Sequence, residues 1–437
     1  MDSYAHQACI RCRKQKRRCT RLLPVCARCS RLNLRCSYPE VHESCTPDAA
    51  GTGVGEARIF RDFGVTGSDL THAIQMQVSD VIGGGDGIAQ STAAYFSTVH
   101  VWFPIIDRDA YHRRLEKADP PSESSLLTLC MCLITIPSSD GMSAQVNGLY
   151  MFATTTVSSL TAAGVSSLQL LQSRLLLSLF EVGHGMYPAA YISIGANVRA
   201  AEAMGIDSPP HMEFQSEIVG TDDAYRLWLG LIILDRYISL EIARAPSIPI
   251  DISDVDERVP KHLVDLHHAS ALLEKVLSHI HSTTPYEQKA AEAIPILENL
   301  SSFRESRESE IPVRNPATAL CSSAFMTILE FGYRYHHPTG RDCSPLSFAL
   351  LEAEVQQFVE ATKSLLRQSP MDDASIPVFS IHSIGKAGIL ILQYLKDSQV
   401  IDIPRSLESL KMLLRTASKH WHAAGMSGLA PAVQRSC

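Results

Sequence analysis

The 437-residue sequence predicts a small, metal-organised cysteine module followed by a large all-α domain, and three observations carry that prediction. Six cysteines fall within the first 36 residues at a regular spacing. Beyond residue 87, apolar residues recur at helical period in one segment after another, and no stretch alternates for long as a strand would. About 350 residues remain there, enough for one large or two ordinary helical domains with a real core.

The cysteines come first in the chain. Cys9, Cys12, Cys19, Cys26, Cys29 and Cys36 are spaced C-x2-C-x6-C-x6-C-x2-C-x6-C, one unit written twice with a connector through Pro24. A C-x2-C step turns the backbone so that two thiolates converge on one metal, and Zn²⁺ takes four soft ligands in a tetrahedron at about 2.3 Å. Each half offers three sulfurs, one short. If Cys9 and Cys26 each bridge both metals, six residues give two Zn²⁺ four sulfurs apiece, with no His or carboxylate needed. A disulfide knot, an iron–sulfur cluster and a single zinc with spare thiols are the competing uses. The first needs an oxidising compartment, and the opening MDSYAHQA has no apolar signal region. The second normally takes four cysteines per cluster, and the third leaves the repeat unexplained.

Charge gives the module a partner. Residues 1–38 hold ten Arg or Lys and one acid, Asp2, for a side-chain sum of +9, while the remainder sums to −16. Such a basic head attracts a polyanion and releases condensed counterions on binding. The first x6 loop, Arg13, Lys14, Gln15, Lys16, Arg17 and Arg18, carries five bases. The second, residues 30–35, carries two and adds Leu32 and Leu34, so the first half is expected to face the polyanion and the second to brace it. A short helix starting at the second cysteine of each half suits this spacing, and its Lys or Arg side chains could donate to guanine O6 and N7 in the major groove. Phosphate neutralisation alone, or a nuclear-import signal, is the plainer use of the same charges.

Residues 9–19 (CIRCRKQKRRC), followed by residues 23–29 (LPVCARC) and a final x6-Cys36, resemble the fungal Zn2Cys6, or binuclear zinc cluster, transcription factors. The resemblance implies two Zn²⁺ held by the six cysteines, with Cys9 and Cys26 as the bridging sulfurs. It also implies a helix placed in DNA and a CGG-type triplet read by Lys16. Gln15 stands where many members have Arg or Lys.

Residues 39–87 read as a flexible linker. The stretch 37–67 is rich in Gly, Pro and Thr and has no heptad, so a coiled-coil dimer through it is not expected. The chain would act as a monomer or pair through its helical domain. Cys45 falls outside the ligand spacing and reads as a spare thiol. Gly83, Gly84, Gly85 and Gly87 lack a following G-K-[ST] and read as a flexible joint, not a phosphate loop.

The helices of the body, residues 88–437, follow in order. Thr92–Trp102 is ended by Pro104, and Asp107 can cap a helix running through Leu115. Ser124–Ile136, Leu149–Ala163, Leu168–Val182 and Pro188–Met204 come next, the last stopped by Gly205. Asp222–Ala243 is the strongest, with Pro246 past its end. Leu263–His281, Ala317–Tyr335, Leu346–Leu366, Ile381–Tyr394 and Leu407–His422 complete the set. The longest apolar run, Leu227–Leu234, is far short of a membrane span.

Tyr95 and Phe96 with residues 101–107 (VWFPIID), and Arg226–Trp228 through Asp235 and Arg236 to Ala245 and Pro246, resemble the fungal-specific transcription factor domain over roughly residues 90–260. That resemblance implies a regulatory region. No Ser-His-acid order, HExxH, nucleophile elbow or dinucleotide fingerprint occurs, so no catalytic residue and no enzyme is expected. His267, His268, His279 and His281 read as core or surface histidines, and Cys130 and Cys132 as inert helix thiols. Asp235 and Arg236 read as a packing or ion-pair element, with a small-ligand pocket as the alternative.

The expected protein is a nuclear, sequence-specific DNA-binding regulator of RNA polymerase II transcription. It would comprise a cluster module (1–38), a linker (39–87) and an α-helical regulatory domain (88–437). Its partners would be double-stranded DNA, the transcription machinery and a small-molecule effector, with no membrane. The resemblance suggests a pathway-specific regulator, such as one for a secondary-metabolite gene cluster. Two other readings stay open: a nucleic-acid-binding scaffold without sequence specificity, and a ligand-sensing helical protein in which DNA binding is secondary.

Overall fold

A computed structural model of the protein describes Cys9, residues 11–12, 17–32, 34 and 36, and then residues 67–426 except 117–120, 138–142, 207–220, 249–258, 308–309, 337–344, 369–375 and 397. The chain divides into two compact units, Met1–Gly53 and Val54–Cys437. Among the described residues there is no β-strand, as expected of a cysteine module followed by an all-α domain. No helix there is long and apolar enough to cross a membrane.

Among its described residues the first unit has one short helix, α1 (Ala27–Arg31), and a helical pair at residues 11–12. The second is built from α2 (Gly67–Ile82), α3 (Gly84–Ser97), α4 (Val99–Trp102), α5 (Arg108–Leu115), α6 (Ser122–Thr135), α7 (Ala144–Ala162), α8 (Leu168–Gly183) and α9 (Tyr187–Ala203). It continues with α10 (Thr221–Glu241), α11 (Lys261–His281), α12 (Tyr286–Glu305), α13 (Pro316–His336), α14 (Pro345–Gln368), α15 (Phe379–Gln393), α16 (Ile403–Ser418) and α17 (His422–Met426).

Local chemistry explains most boundaries. Asp107 accepts the Ala110 N–H at 2.7 Å and starts α5, while Ser143 and Ser167 start α7 and α8 in the same way. Gly205 takes φ +71° and lets the Ile206 N–H reach back to the Ala201 carbonyl, closing α9. At the end of α10 that left-handed position falls to Ala243 (φ +51°), and the Arg244 N–H returns to the Ser239 carbonyl. Thr98 divides the apolar run 92–102 into α3 and α4.

Two helices depart from the sequence reading. Residues 67–87, expected as linker, hold all of α2 and the start of α3, with the glycines at 84–87 inside the first turn of α3. Ile74 and Val78 are buried, and α2 and α3 pack on α6, which is what makes a polar, glycine-containing segment helical. The other, α12, was not expected and contains Pro295; it packs on α11 and α13.

One hydrophobic core runs through the whole body. α8 lies among α6, α9 and α10, and α13 packs on both α11 and α15. The two segments singled out in the sequence meet here, because Arg226 donates to Asp107 at 3.0 Å. The chain's end closes the same core. Trp421 sits edge-on to Trp102 with centroids 6.2 Å apart and donates its ring N–H to the Ile376 carbonyl at 2.9 Å.

Asp235 and Arg236 are both buried but turn to different partners. The Asp235 carboxylate accepts the N–H groups of Ser247 (2.8 Å) and Ile248 (3.1 Å), pinning the chain beyond α10. Arg236 donates to Ser270 (3.0 Å) and Glu274 (2.5 Å) and ties α10 to α11. His267 and His279 are core residues, and His268 and His281 are exposed. Cys130 is buried, and that burial pushes its thiol up, as suits an inert side chain.

Candidate metal centre and nucleic-acid interface

The six cysteines of the first unit converge. Cys9 and Cys26 have no solvent exposure, Cys12 and Cys29 almost none, and Cys19 and Cys36 are half-buried around them. Their sulfurs form two sets of four: Cys9, Cys12, Cys19 and Cys26, and Cys9, Cys26, Cys29 and Cys36. Cys9 and Cys26 belong to both. Within each set the sulfurs lie within 4.8 Å of one another.

The spacing is that of a tetrahedral metal site. Four sulfurs at about 2.3 Å from a zinc stand about 3.8 Å apart along each tetrahedral edge. The observed separations are 3.9 Å for Cys9–Cys26 and 3.8 Å for both Cys9–Cys29 and Cys12–Cys26. All six thiols are free, and these distances are too long for an S–S bond, which disposes of the disulfide knot.

The halves repeat each other's hydrogen bonds at an offset of 17 residues. The Cys12 N–H donates to Cys9 Sγ and the Cys29 N–H to Cys26 Sγ, both at 3.4 Å. The Cys9 N–H donates to Cys19 Sγ and the Cys26 N–H to Cys36 Sγ, both at 3.5 Å. Arg17 N–H reaches the Cys12 carbonyl (3.0 Å) as Leu34 N–H reaches that of Cys29 (2.9 Å). One correction concerns the helix start: α1 begins after Cys26, the first cysteine of its half, because that sulfur itself caps the helix by accepting the Cys29 N–H.

These donors set where negative charge settles. Burial pushes the Cys12 thiol up to about 12 and raises Cys29 and Cys36 as well. At Cys9 and Cys26 burial acts the same way but is outweighed by the backbone N–H of Cys12 or Cys29 and by the neighbouring thiols, so both lie below the ordinary value. The two shared positions are thus the best prepared to carry thiolate, and divalent cations would offset the remaining burial cost.

Of the candidate DNA-contacting residues, Arg17 and Arg18 are exposed, immediately before Cys19. Arg13, Lys14, Gln15 and Lys16 lie outside the described residues, as does Cys45. Arg11, Arg21 and Arg31 add exposed bases to the same unit. Arg21 was not singled out from sequence; it holds φ +58° in the connector, which reaches α1 past the cis Leu23–Pro24 bond. In the second half Leu32 is 47% exposed, so one of the two leucines expected to brace the module faces solvent and only Leu34 packs on the cysteines.

Comparison with known proteins places both parts. Residues 7–44 match the fungal Zn(2)-Cys(6) binuclear cluster domain, which binds two zinc ions. Residues 92–337 match the fungal specific transcription factor domain, further along the chain than the motif segments alone extend. The chain is similar to transcription factor BOA15 of Botryotinia fuckeliana (strain B05.10), with 32% identity over 124 residues, 28% of this chain and 68% of that protein. It is also similar to the depudecin biosynthesis cluster-specific transcription activator DEP6 of Alternaria brassicicola, with 52% identity over 44 residues, 10% of this chain and 7% of that protein.

Proposed function

We propose, from the premise that the chain belongs to the fungal zinc-cluster transcription factors carrying a fungal-specific transcription factor domain, that it is a nuclear, pathway-specific regulator that reads a CGG-type triplet. The observation that carries the reading is the pair of sulfur tetrads sharing Cys9 and Cys26, with exposed arginines on the chain between Cys12 and Cys19. Each tetrad holds one Zn²⁺, with Cys9 and Cys26 bridging, and the metals order a module too small to fold by apolar burial alone. Lys16 contacts the bases through guanine O6 and N7, while Arg13, Lys14, Gln15, Arg17 and Arg18 position the module on phosphates or neighbouring base edges.

The helical body passes the binding event to the transcription machinery and receives a small-molecule effector. It holds no catalytic residue in this reading. The likeness to a cluster-specific activator supports control of a biosynthetic gene set as the biological role. Without a heptad after Cys36, the module binds as a monomer or is paired through the body. In vitro selection of DNA sites by the zinc-loaded full-length chain tests the reading. Enrichment of a CGG-containing motif is the expected result, and its spacing reports the oligomeric state. Retention of DNA with no enriched triplet would refute it in favour of a nonspecific scaffold.

A further inference from the structure

We propose that the cavity walled by α9, α10, α13, α15 and α17 is a binding site for a small organic carboxylate. This rests on the reading that the body receives a small-molecule effector, and it gives that effector a place and a chemistry. The cavity measures about 490 Å³, within the range of small-molecule sites.

Its cationic side chains converge on one acceptor. Glu330 on α13 pairs through one oxygen with Lys386 on α15 and through the other with Arg334 at 3.1 Å. Two cations therefore share one carboxylate. The ion pairs are partly withdrawn from water: the side chain of Glu330 is 9% exposed and that of Lys386 17%. Arg334, 60% exposed, marks the mouth. Glu330 takes up one of the three N–H groups of Lys386; Arg334 gives its Nε–H to the Tyr394 hydroxyl and an Nη2–H to Glu330, which leaves its Nη1 donors for a planar carboxylate.

The other walls do not pair with these cations. Glu241 on α10 is half-buried, burial raises its carboxyl above the ordinary value, its partners are the hydroxyls of Tyr237 and Tyr187, and among the described ion pairs it joins neither Lys386 nor Arg334. His382 is held neutral by burial and by the Lys386 charge, and its Nδ1 has no hydrogen-bond partner. Two cations on one shared carboxylate suit a monoanion better than a phosphate dianion, which would leave negative charge uncompensated in a half-dry site. Ile381, Ile389 and Ala423 supply an apolar wall for the carbon skeleton, and Gln393 a hydrogen-bonding amide.

The test uses the zinc-loaded full-length chain with benzoate and hexanoate, and with benzamide and hexanamide as neutral counterparts, read by saturation-transfer NMR and calorimetric titration. The acids should bind about tenfold or more tightly than the amides. Lys386→Met should weaken acid binding by at least about tenfold, Lys386→Arg should retain it, and Glu330→Gln, which frees both cations, should tighten it. Circular dichroism melts matched to the parent show that each variant is folded. No acid binding at millimolar concentration, equal binding of acids and amides, or equal acid binding by Lys386→Met would overturn the site. DNA binding and reporter transcription measured with and without bound acid separate the two levels: a ligand held in the cavity with neither output changed would leave the site standing and remove the effector reading.

Discussion

Replacing Cys26 by alanine should weaken both zinc sites at once, whereas replacing Cys36 should weaken only one. Cys26 Sγ is a corner of both tetrads, so its loss leaves Cys9, Cys12 and Cys19 around one metal and Cys9, Cys29 and Cys36 around the other. Loss of Cys36 leaves the first tetrad complete. A structural zinc contributes about 10–16 kcal/mol, so one sulfur of four accounts for about 3–4 kcal/mol, or roughly 10²–10³ in affinity. Cys26→Ala should therefore bind two ions, each about 10²–10³ weaker than in the parent, while Cys36→Ala keeps one ion at parental affinity. Competition against a chromophoric chelator, with native mass spectrometry for stoichiometry, reads both numbers on the full-length chain. Circular dichroism of the body should be unchanged in each variant. If Cys26→Ala retains one zinc at parental affinity and matches Cys36→Ala, the sulfurs are not shared and the two-tetrad arrangement is wrong.

Four further outcomes are expected. Lys16→Ala should cost about 1–3 kcal/mol on the selected site and little on random DNA, whereas Arg17→Ala should weaken both alike and lower the salt slope by about one; gel-shift titrations across salt distinguish them. Chelation should abolish DNA binding while the helical signal of the body persists in far-UV circular dichroism. Gly183→Ala should destabilise the body by about 1–3 kcal/mol in urea melts, because a Cβ there would stand 2.2 Å from Cε3 of Trp421. Glu181→Gln should make the body more stable than the parent at pH 8 and nearly equal to it at pH 4. Burial raises Glu181 above its unfolded value of 4.5, against hydrogen bonds from Tyr150 (2.7 Å) and Ser193 (3.1 Å). The folded state then binds more protons than the unfolded one, so stability is lost as pH rises above 4.5 toward the folded value, and the amide removes that loss. Urea melts across pH check it.

What could be read from the sequence follows from how local the determinants are. The two tetrads were legible because ligand spacing is a property of short backbone steps; counting sulfurs requires that two be shared, and the resemblance to the zinc-cluster family is what points to Cys9 and Cys26. Helix starts were legible where a capping side chain stands at the boundary, as at Asp107, and ends where a glycine takes positive φ, as at Gly205. α2 was read as linker although Leu70, Ile74, Val78 and Ile82 recur every four residues, because the glycine-rich run 83–87 that follows it marked the whole stretch as a joint; packing of Ile74 and Val78 holds the helix. α12 was hidden by Pro295, which reads as a breaker yet lies on the exposed side of a helix that packs on α11 and α13. The cavity assembles Glu241, Glu330 and Lys386 from three helices far apart in sequence, and no spacing rule connects them.

The stretch from Cys12 to Cys19 has both ends in the same sulfur tetrad, with the Arg17 amide tied back to the Cys12 carbonyl. Mechanically it is a hoop fastened by a single clasp. Opening the clasp releases Arg17 and Arg18, each regaining about 1–2 kcal/mol of backbone entropy that a DNA complex would then have to supply again. Recognition built on such a hoop has no intermediate setting. Falling zinc supply would remove molecules from the binding population one by one, while every molecule that keeps its metal binds at full strength.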